Sequence, residues 1–127
     1  MPTTEQAELS AGRTFRVNTA THGSAPTNGV TEPDLTLSPV GPGGFPTIGF
    51  LLGLTAPSAG SATAGGGGFT VTIYWRDPVL KRWFSFSSTS VSYGQLFGTS
   101  DLDAGELYIQ IGNVSAAGLV DVTIAEQ

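Results

Sequence analysis

The clearest alternation of apolar and polar side chains lies in residues 69–76, which read FTVTIYWR. Phenylalanine, valine, isoleucine and tryptophan occupy the odd positions, and threonine, tyrosine and arginine occupy the even ones. A period of two residues is that of a β-strand with one buried face. An Asp-Pro turn follows in Asp77–Lys81, and residues 82–87 (RWFSFS) place Phe84 and Phe86 two residues apart. The sequence therefore predicts a β-hairpin.

Further extended segments lie on both sides of this hairpin. The alternation is strong in residues 106–114 (ELYIQIGNV) and 119–125 (LVDVTIA), and it recurs in residues 13–19 (RTFRVNT). Shorter or bent strands are predicted at residues 35–38, 45–55 and 89–93. Residues 56–68 (APSAGSATAGGGG) are predicted to form a flexible loop. Seven or eight short strands without helical periodicity predict an all-β fold, an antiparallel β-sandwich. Its favoured topology is a jelly roll, with a small barrel as the alternative.

The start of the chain has few large apolar side chains and predicts a different organisation. Residues 1–28 are interpreted as an extended N-terminal arm, and residues 29–127 as the β-sandwich domain. Arg13 and Arg16 flank Phe15 within this arm. These three residues are candidates for binding an acidic partner surface. The alternative is that the arginines only keep the arm in solution.

The composition excludes several classes of function. The chain of 127 residues has 5 Lys and Arg against 10 Asp and Glu, and it has no cysteine. Disulfides, thiolate metal sites and thiol nucleophiles are therefore excluded. Binding over a broad nucleic-acid surface is not expected, because it depends on many cations. The longest apolar run, residues 48–54, is far shorter than the roughly 20 residues of a membrane span. The polar start MPTTEQ does not resemble a signal peptide, so we expect a soluble protein.

The small number of charges is itself a clue to partners. Only 12% of the residues are charged, whereas an average domain has about 25%. Either small polar residues keep the surface hydrated, or partners cover much of it. The second interpretation predicts a homo-oligomer, and both dimers and trimers are compatible with it.

Candidate catalytic and metal-binding residues are few. The single imidazole, His22, lies in the polar N-terminal segment, so we interpret it as a solvated histidine rather than a member of a catalytic triad. Asp101, Asp103 and Glu106 are clustered, but their spacing departs from the EF-hand pattern, and a polar turn is favoured over a calcium site. The sequon at residues 113–115 is interpreted as a chance match. We predict no enzyme, no metal and no cofactor.

Aromatic side chains are the remaining candidates for binding. Trp75 shares its strand face with apolar residues and is predicted to lie in the core. The aromatic residues predicted to be exposed on polar faces are Trp83, Tyr74, Tyr93 and Tyr108. Such rings pack within strands, contact protein partners or stack on sugars. Trp83 and Tyr93 therefore join the three arm residues as candidate partner-binding residues.

Two segments carry a resemblance to a known class of proteins. FTVTIYWRDPVLKRWFSF at residues 69–86 forms a hairpin around an Arg-Asp-Pro turn, and GELYIQIGNVSAAGLVDVTIAEQ at residues 105–127 forms a terminal strand pair. Together they resemble the small all-β virion proteins of tailed bacteriophages, of the decoration or cement type. The resemblance implies a non-catalytic structural protein on the capsid surface of the virion. It also implies binding to the major capsid protein, often as a trimer, through an N-terminal arm. The alternative is a carbohydrate-binding or receptor-binding β-sandwich module.

Overall fold

The protein is all-β. The computed structural model describes residues 13–37, 47–77, 79–103 and 105–126, and most of these residues lie in strands. The elements in chain order are β1 (Arg13–Asn18), α1 (Thr19–His22), β2 (Leu35–Leu37), β3 (Thr47–Thr55), β4 (Thr63–Ala64), β5 (Phe69–Arg76), β6 (Trp83–Val91), β7 (Leu96–Asp103), β8 (Gly105–Gly112), β9 (Val114–Ala116) and β10 (Leu119–Glu126).

Two four-stranded antiparallel sheets form the body of the molecule. The first sheet has the order β1-β10-β3-β7, the second has the order β2-β8-β5-β6, and β4 pairs with β9 in a small third sheet. The eight strands of the two large sheets form nested pairs, β1 with β10, β2 with β8, β3 with β7 and β5 with β6. The chain therefore changes sheet at every connection between these strands except the β5–β6 hairpin. The predicted antiparallel sandwich is confirmed.

The core lies between the two sheets and follows the predicted alternation. The first sheet contributes the buried residues Val17, Leu52, Leu54, Val120, Val122 and Ile124. The second sheet contributes Phe69, Val71, Ile73, Val91, Leu107, Ile109 and Ile111. Fully burying one such side chain stabilises the fold by about 1.5–3 kcal/mol. Trp75 is partly buried and packs against this cluster, as predicted from its position on the apolar face of β5.

β6 departs from the predicted pattern because it contains a bulge. It is one strand rather than two, and its register against β5 shifts between Ile73 and Tyr74, which pair with Ser87 and Ser85. Phe86 is thereby the extra residue of the bulge, and the strand changes the face that its side chains occupy. As a result Trp83 stands opposite Arg76, on the outer face of the second sheet.

Residues 13–28 belong to the sandwich and not to an arm. β1 pairs with β10 from Arg13 opposite Ile124 to Asn18 opposite Leu119. Val17 is buried in the core, and Phe15 packs against it. The alternation within β1 thus provides enough apolar contact to hold this strand on the sheet. The predicted division at residue 28 is corrected accordingly, and residues 1–12 of the predicted arm lie outside the described residues.

The predicted loop 56–68 is fastened to the end of the sandwich. Ala62 N–H donates to the Leu119 carbonyl at 3.0 Å, and Leu119 N–H donates to the Gly60 carbonyl at 2.7 Å. Gly118 permits this approach, because a Cβ at that position would lie 2.5 Å from the Gly60 carbonyl oxygen. The loop also contains β4, which the sequence did not predict.

Candidate functional site

Residues 19–34, here called the covering segment, lie across the outer face of the second sheet. The side chain of Asn18 caps its first turn, accepting from Ala20 N–H at 2.9 Å. The segment is then held to two strands of the sheet. Gln110 on β8 donates to the Gly23 carbonyl at 3.1 Å, and Trp83 N–H on β6 donates to the Asn28 side chain at 2.8 Å.

A histidine–aspartate pair fastens the covering segment at both of its ends. His22 Nε2 lies 2.7 Å from Asp34 Oδ1, and both side chains are largely buried. The second carboxylate oxygen of Asp34 accepts from Ile109 N–H at 2.7 Å, and Asp34 N–H donates to the Leu107 carbonyl at 2.8 Å. The prediction of a solvated His22 is therefore wrong. No sequence pattern marks Asp34 as its partner, since the two residues are brought together only by the path of the loop.

Four rings under and within the covering segment form an aromatic cluster, consisting of His22, Tyr74, Trp83 and Tyr108. The Tyr108 ring is its centre. His22 stacks on it at 4.9 Å and 8°, while Trp83 and Tyr74 meet it edge to face at 6.0 and 6.3 Å. Such geometries stabilise aromatic pairs beyond their buried area. The cluster is a second, smaller packed region outside the main core.

The covering segment overturns the predicted exposure of two aromatic residues. Trp83 is 8% exposed and Tyr108 is 5% exposed. Both lie on the polar face of their strands, as the alternation predicted. The alternation does not show, however, whether another segment of the chain covers that face. Burial raises the pKa of Tyr108, and the nearby charge of Asp34 raises it further.

Both ring nitrogens of His22 have hydrogen-bond partners. Nδ1 lies 3.1 Å from the Thr21 hydroxyl oxygen, and Nε2 lies 2.7 Å from Asp34 Oδ1. Arg76 forms an ion pair with Glu106, and its guanidinium lies 5.4 Å from the Trp83 ring centroid. Within the described residues, two buried donors have no partner, Arg76 Nε and Trp83 Nε1.

The tip of the β5–β6 hairpin is the most exposed apolar region of the described chain. We call Val79, Leu80, Lys81, Arg82 and Phe84 the hairpin-tip surface. Val79 is 83% exposed, Leu80 is 59% exposed and Phe84 is 47% exposed. The adjacent Lys81 and Arg82 are also exposed. These residues were not among the predicted binding residues, although two large apolar side chains beside two cations in a turn are recognisable in the sequence as a candidate contact site.

Asp77 fixes the shape of the hairpin tip. Its carboxylate accepts from Val79 N–H at 2.8 Å, and its carbonyl accepts from Lys81 N–H at 2.8 Å. Lys81 adopts a φ of 57°, in the left-handed region. These local bonds hold the turn without help from the core. The apolar side chains of the tip are therefore presented on an ordered support.

The structure does not gather the predicted partner-binding residues into one site. Arg16 lies on the first sheet and pairs with Asp121 at 2.8 Å, and its hydrogen bond and charge lower the pKa of that carboxyl. Phe15 packs against the core, and Trp83 belongs to the aromatic cluster. Tyr93 lies elsewhere and is described next. The side chain of Arg13 lies outside the described residues.

Tyr93 has a structural position at the far end of the sandwich. Its hydroxyl donates to the Ala62 carbonyl at 2.6 Å, and its ring meets Phe69 edge to face at 5.1 Å. Burial raises its pKa, and the charge of Asp121 adds to the effect. These contacts fasten the loop that precedes β4.

Two of the remaining residues singled out in the sequence, Glu106 and Asn113, have partners of their own. Glu106 pairs with Arg76, while the side chains of Asp101 and Asp103 lie outside the described residues. No group of three metal-ligating side chains occurs in the part of the chain that the structure describes. Asn113 Nδ2, in the sequon, donates to the carbonyls of Gly66 at 3.0 Å and Gly68 at 2.6 Å.

Comparisons with other proteins leave the fold and these surfaces as the basis for any functional conclusion. No protein-family model matches the chain, and neither a curated protein nor a solved structure matches it. Among the described residues, no helix has the length and apolar character needed to cross a membrane.

Proposed function

We propose that this protein is a structural virion protein that binds and stabilises an assembled phage capsid, without catalysis, through the hairpin-tip surface. The observation that carries the proposal is the exposure of Val79, Leu80 and Phe84 beside two cations. Exposed apolar side chains that lie next to one another are typical of protein–protein contact sites. Arginine and aromatic residues are enriched among those that dominate binding energy.

The strand order supports a fold of the kind found in virions. Nested pairing of eight strands, with the partners distributed over two sheets, is what a long antiparallel hairpin produces when it is rolled up into a jelly roll. Jelly rolls occur in viral capsid domains and in lectins. The topology is therefore compatible with decoration of a capsid surface, and the choice between capsid and sugar depends on the exposed side chains.

The charges near the tip suggest the chemistry of the capsid surface that it meets. Lys81 and Arg82 are two of only five basic residues in a chain of net charge -5. A major capsid protein with an apolar pocket flanked by carboxylates would complement them. The residues 13–28 of the predicted arm are engaged in the sandwich, so in this proposal they support the fold and the hairpin tip makes the contact.

The alternative function, a carbohydrate-binding or receptor-binding module, has less support. It depended on exposed rings, and sugar stacking requires an open ring face. Trp83 and Tyr108 are buried beneath the covering segment. Phe84 is the most exposed described aromatic side chain, and it lies within the hairpin-tip surface.

Co-sedimentation with capsids tests the proposal. The probe is an assembled phage capsid without decoration proteins, and the full-length protein should bind it saturably. The double substitution Val79→Ser with Leu80→Ser should weaken binding by about tenfold or more, since it removes two apolar contacts. The matched control is Leu96→Ser, which alters a side chain that is 67% exposed at the other end of the sandwich. Equal binding by the double variant and the control would contradict the role of the tip, and absence of wild-type binding would contradict the proposed function.

A further inference from the structure

The four outer strands of the two sheets differ in how they are protected against pairing with another chain. β1 carries Arg13 and Arg16, β7 carries Asp101 and Asp103, and β2 has only three residues. Charge and short length are common ways in which proteins protect sheet edges. β6 has neither, because its nine residues read WFSFSSTSV, without a charge or a proline.

The register shows which main-chain groups of β6 point away from the sheet. On β8, Leu107 O and Ile109 N bond to Asp34, on the side of β2. Main-chain groups alternate in direction along an antiparallel strand. Gln110 and Gly112 therefore direct theirs to the opposite side, toward β5.

The same alternation carries across β5 to the outer strand. Gln110 pairs with Thr72, so the main-chain groups of Thr72 point to β8 and not to β6. Ser88 is the residue of β6 opposite Thr72, and Ser90 has the same relation to Thr70. The N–H and C=O groups of Ser88 and Ser90 are thus directed outward. Trp83 likewise directs its main-chain groups away from β5, and its N–H donates to the Asn28 side chain.

These outward groups form an accessible pairing edge. No strand of the described chain pairs with β6 on the side away from β5. The side chains of Ser88 and Ser90 are exposed and small, so a second strand can approach to the usual distance of about 4.8 Å. The bulge at Phe86 confines the regular part of this edge to residues 87–91.

We propose that β6 is the edge through which two copies of this chain associate. The two β6 strands pair antiparallel about a twofold axis at Thr89, with Ser88 of one copy exchanging main-chain hydrogen bonds with Ser90 of the other. The second sheets of the two copies then form one continuous sheet across the axis. This contact lies on a different strand edge from the hairpin tip, and it does not depend on the proposed capsid attachment.

The distribution of charge favours a second copy as the occupant. Each chain has a net charge of -5, so two copies repel unless they meet where charges are absent. Self-pairing of β1 would bring arginines toward arginines, and self-pairing of β7 would do the same with aspartates. β6 is the long edge strand through which two identical chains can pair without bringing like charges together. A twofold axis makes the contact closed, which gives a dimer where the resemblance implied a trimer.

Sedimentation equilibrium of the full chain tests the association. The expected mass is twice 13.0 kDa at high concentration and falls to that of the monomer on dilution. Ser88→Pro removes an outward donor and leaves the β5–β6 bonds in place, as edge strands permit. It should raise the dimer dissociation constant by about tenfold or more. Ser88→Ala is the matched control and should leave the constant nearly unchanged, because the bonds come from the main chain.

Amide hydrogen exchange in the unmodified chain provides a second test that does not depend on any variant folding. Protection of the Ser88 and Ser90 amides should rise with protein concentration, whereas protection of Thr89, which bonds to β5, should stay constant. A monomer at all concentrations, a trimer, or a dimer that persists in a folded Ser88→Pro protein would overturn the proposal. Concentration-independent exchange at Ser88 and Ser90 would overturn it as well.

Discussion

The interior between the sheets and the aromatic cluster on the outer face of the second sheet are both buried, but by different means. The buried interior residues that the structure describes are aliphatic side chains and one phenylalanine, which alternate along the strands. The cluster consists of rings with polar atoms, and it is closed by the covering segment through the bonds of Asp34, Gln110 and Asn28. Burial in the interior is non-directional, whereas closure of the cluster depends on a few hydrogen bonds.

The first way to test this comparison is to remove one ring from the interior. Phe69 is fully buried, and Phe69→Ala should lower the free energy of unfolding by about 3–5 kcal/mol, because it leaves a cavity. Urea unfolding followed by fluorescence measures the change. The matched control is Phe84→Ala at the hairpin tip, where the same truncation of a half-exposed ring should cost less than about 1 kcal/mol. Similar losses in the two variants would contradict the division into interior and surface.

The second test breaks the closure of the cluster. Asp34→Ala removes the acceptor of Ile109 N–H and the partner of His22, and it should cost about 1–3 kcal/mol. The loss should be smaller than that of Phe69→Ala. Fluorescence of Trp83 should shift toward that of a solvated indole, since the covering segment is released. Asp34→Asn serves as the control, because an amide oxygen still accepts from Ile109 N–H. Unchanged stability and fluorescence in Asp34→Ala would show that the segment is held by other contacts.

The interior could be predicted from the sequence because strand periodicity encodes it. Residues 69–76 and 119–125 alternate cleanly, and the structure buries one face of each strand: Phe69, Val71 and Ile73 in the first, and Val120, Val122 and Ile124 in the second. The sandwich follows from the number and spacing of such strands. β6 was predicted less well, because the bulge at Phe86 reverses the alternation and periodicity carries no marker of where an extra residue falls.

The aromatic cluster could not be predicted in the same way. The alternation placed Trp83 and Tyr108 on the polar faces of their strands, and this assignment is correct. Their burial depends on a loop whose course is set by His22 and Asp34, twelve residues apart, and by Asn28 bonding to a strand far along the chain. Contacts of this kind depend on the three-dimensional path of an irregular segment. The hairpin-tip residues Val79 and Leu80 lie in a turn outside the alternating strands, so strand periodicity does not indicate whether they are exposed.

The last and smallest test uses pH to separate the two regions, because the buried side chains described in the interior carry no titratable group, whereas the cluster contains Tyr108. Tyr93, which packs against the interior, is present in both of the proteins compared. Burial and the charge of Asp34 raise the pKa of Tyr108 in the folded state. The folded protein therefore holds this proton more tightly than the unfolded chain, whose tyrosines titrate near about pH 10. The stability is complete below that pH and is lost as pH rises through the folded pKa.

Tyr108→Phe removes the ionisable hydroxyl and with it this loss of stability at alkaline pH. Among the described residues, the only hydrogen bonds it removes are long ones, from the hydroxyl to the carbonyls of Thr21 at 3.4 Å and Ser24 at 3.5 Å. The variant should be slightly less stable than the wild type at pH 7 and should lose less stability between about pH 9 and 11. Unfolding midpoints over this range measure the difference. Parallel pH curves for Tyr108→Phe and the wild type would mean that the covering segment does not exclude water from the ring.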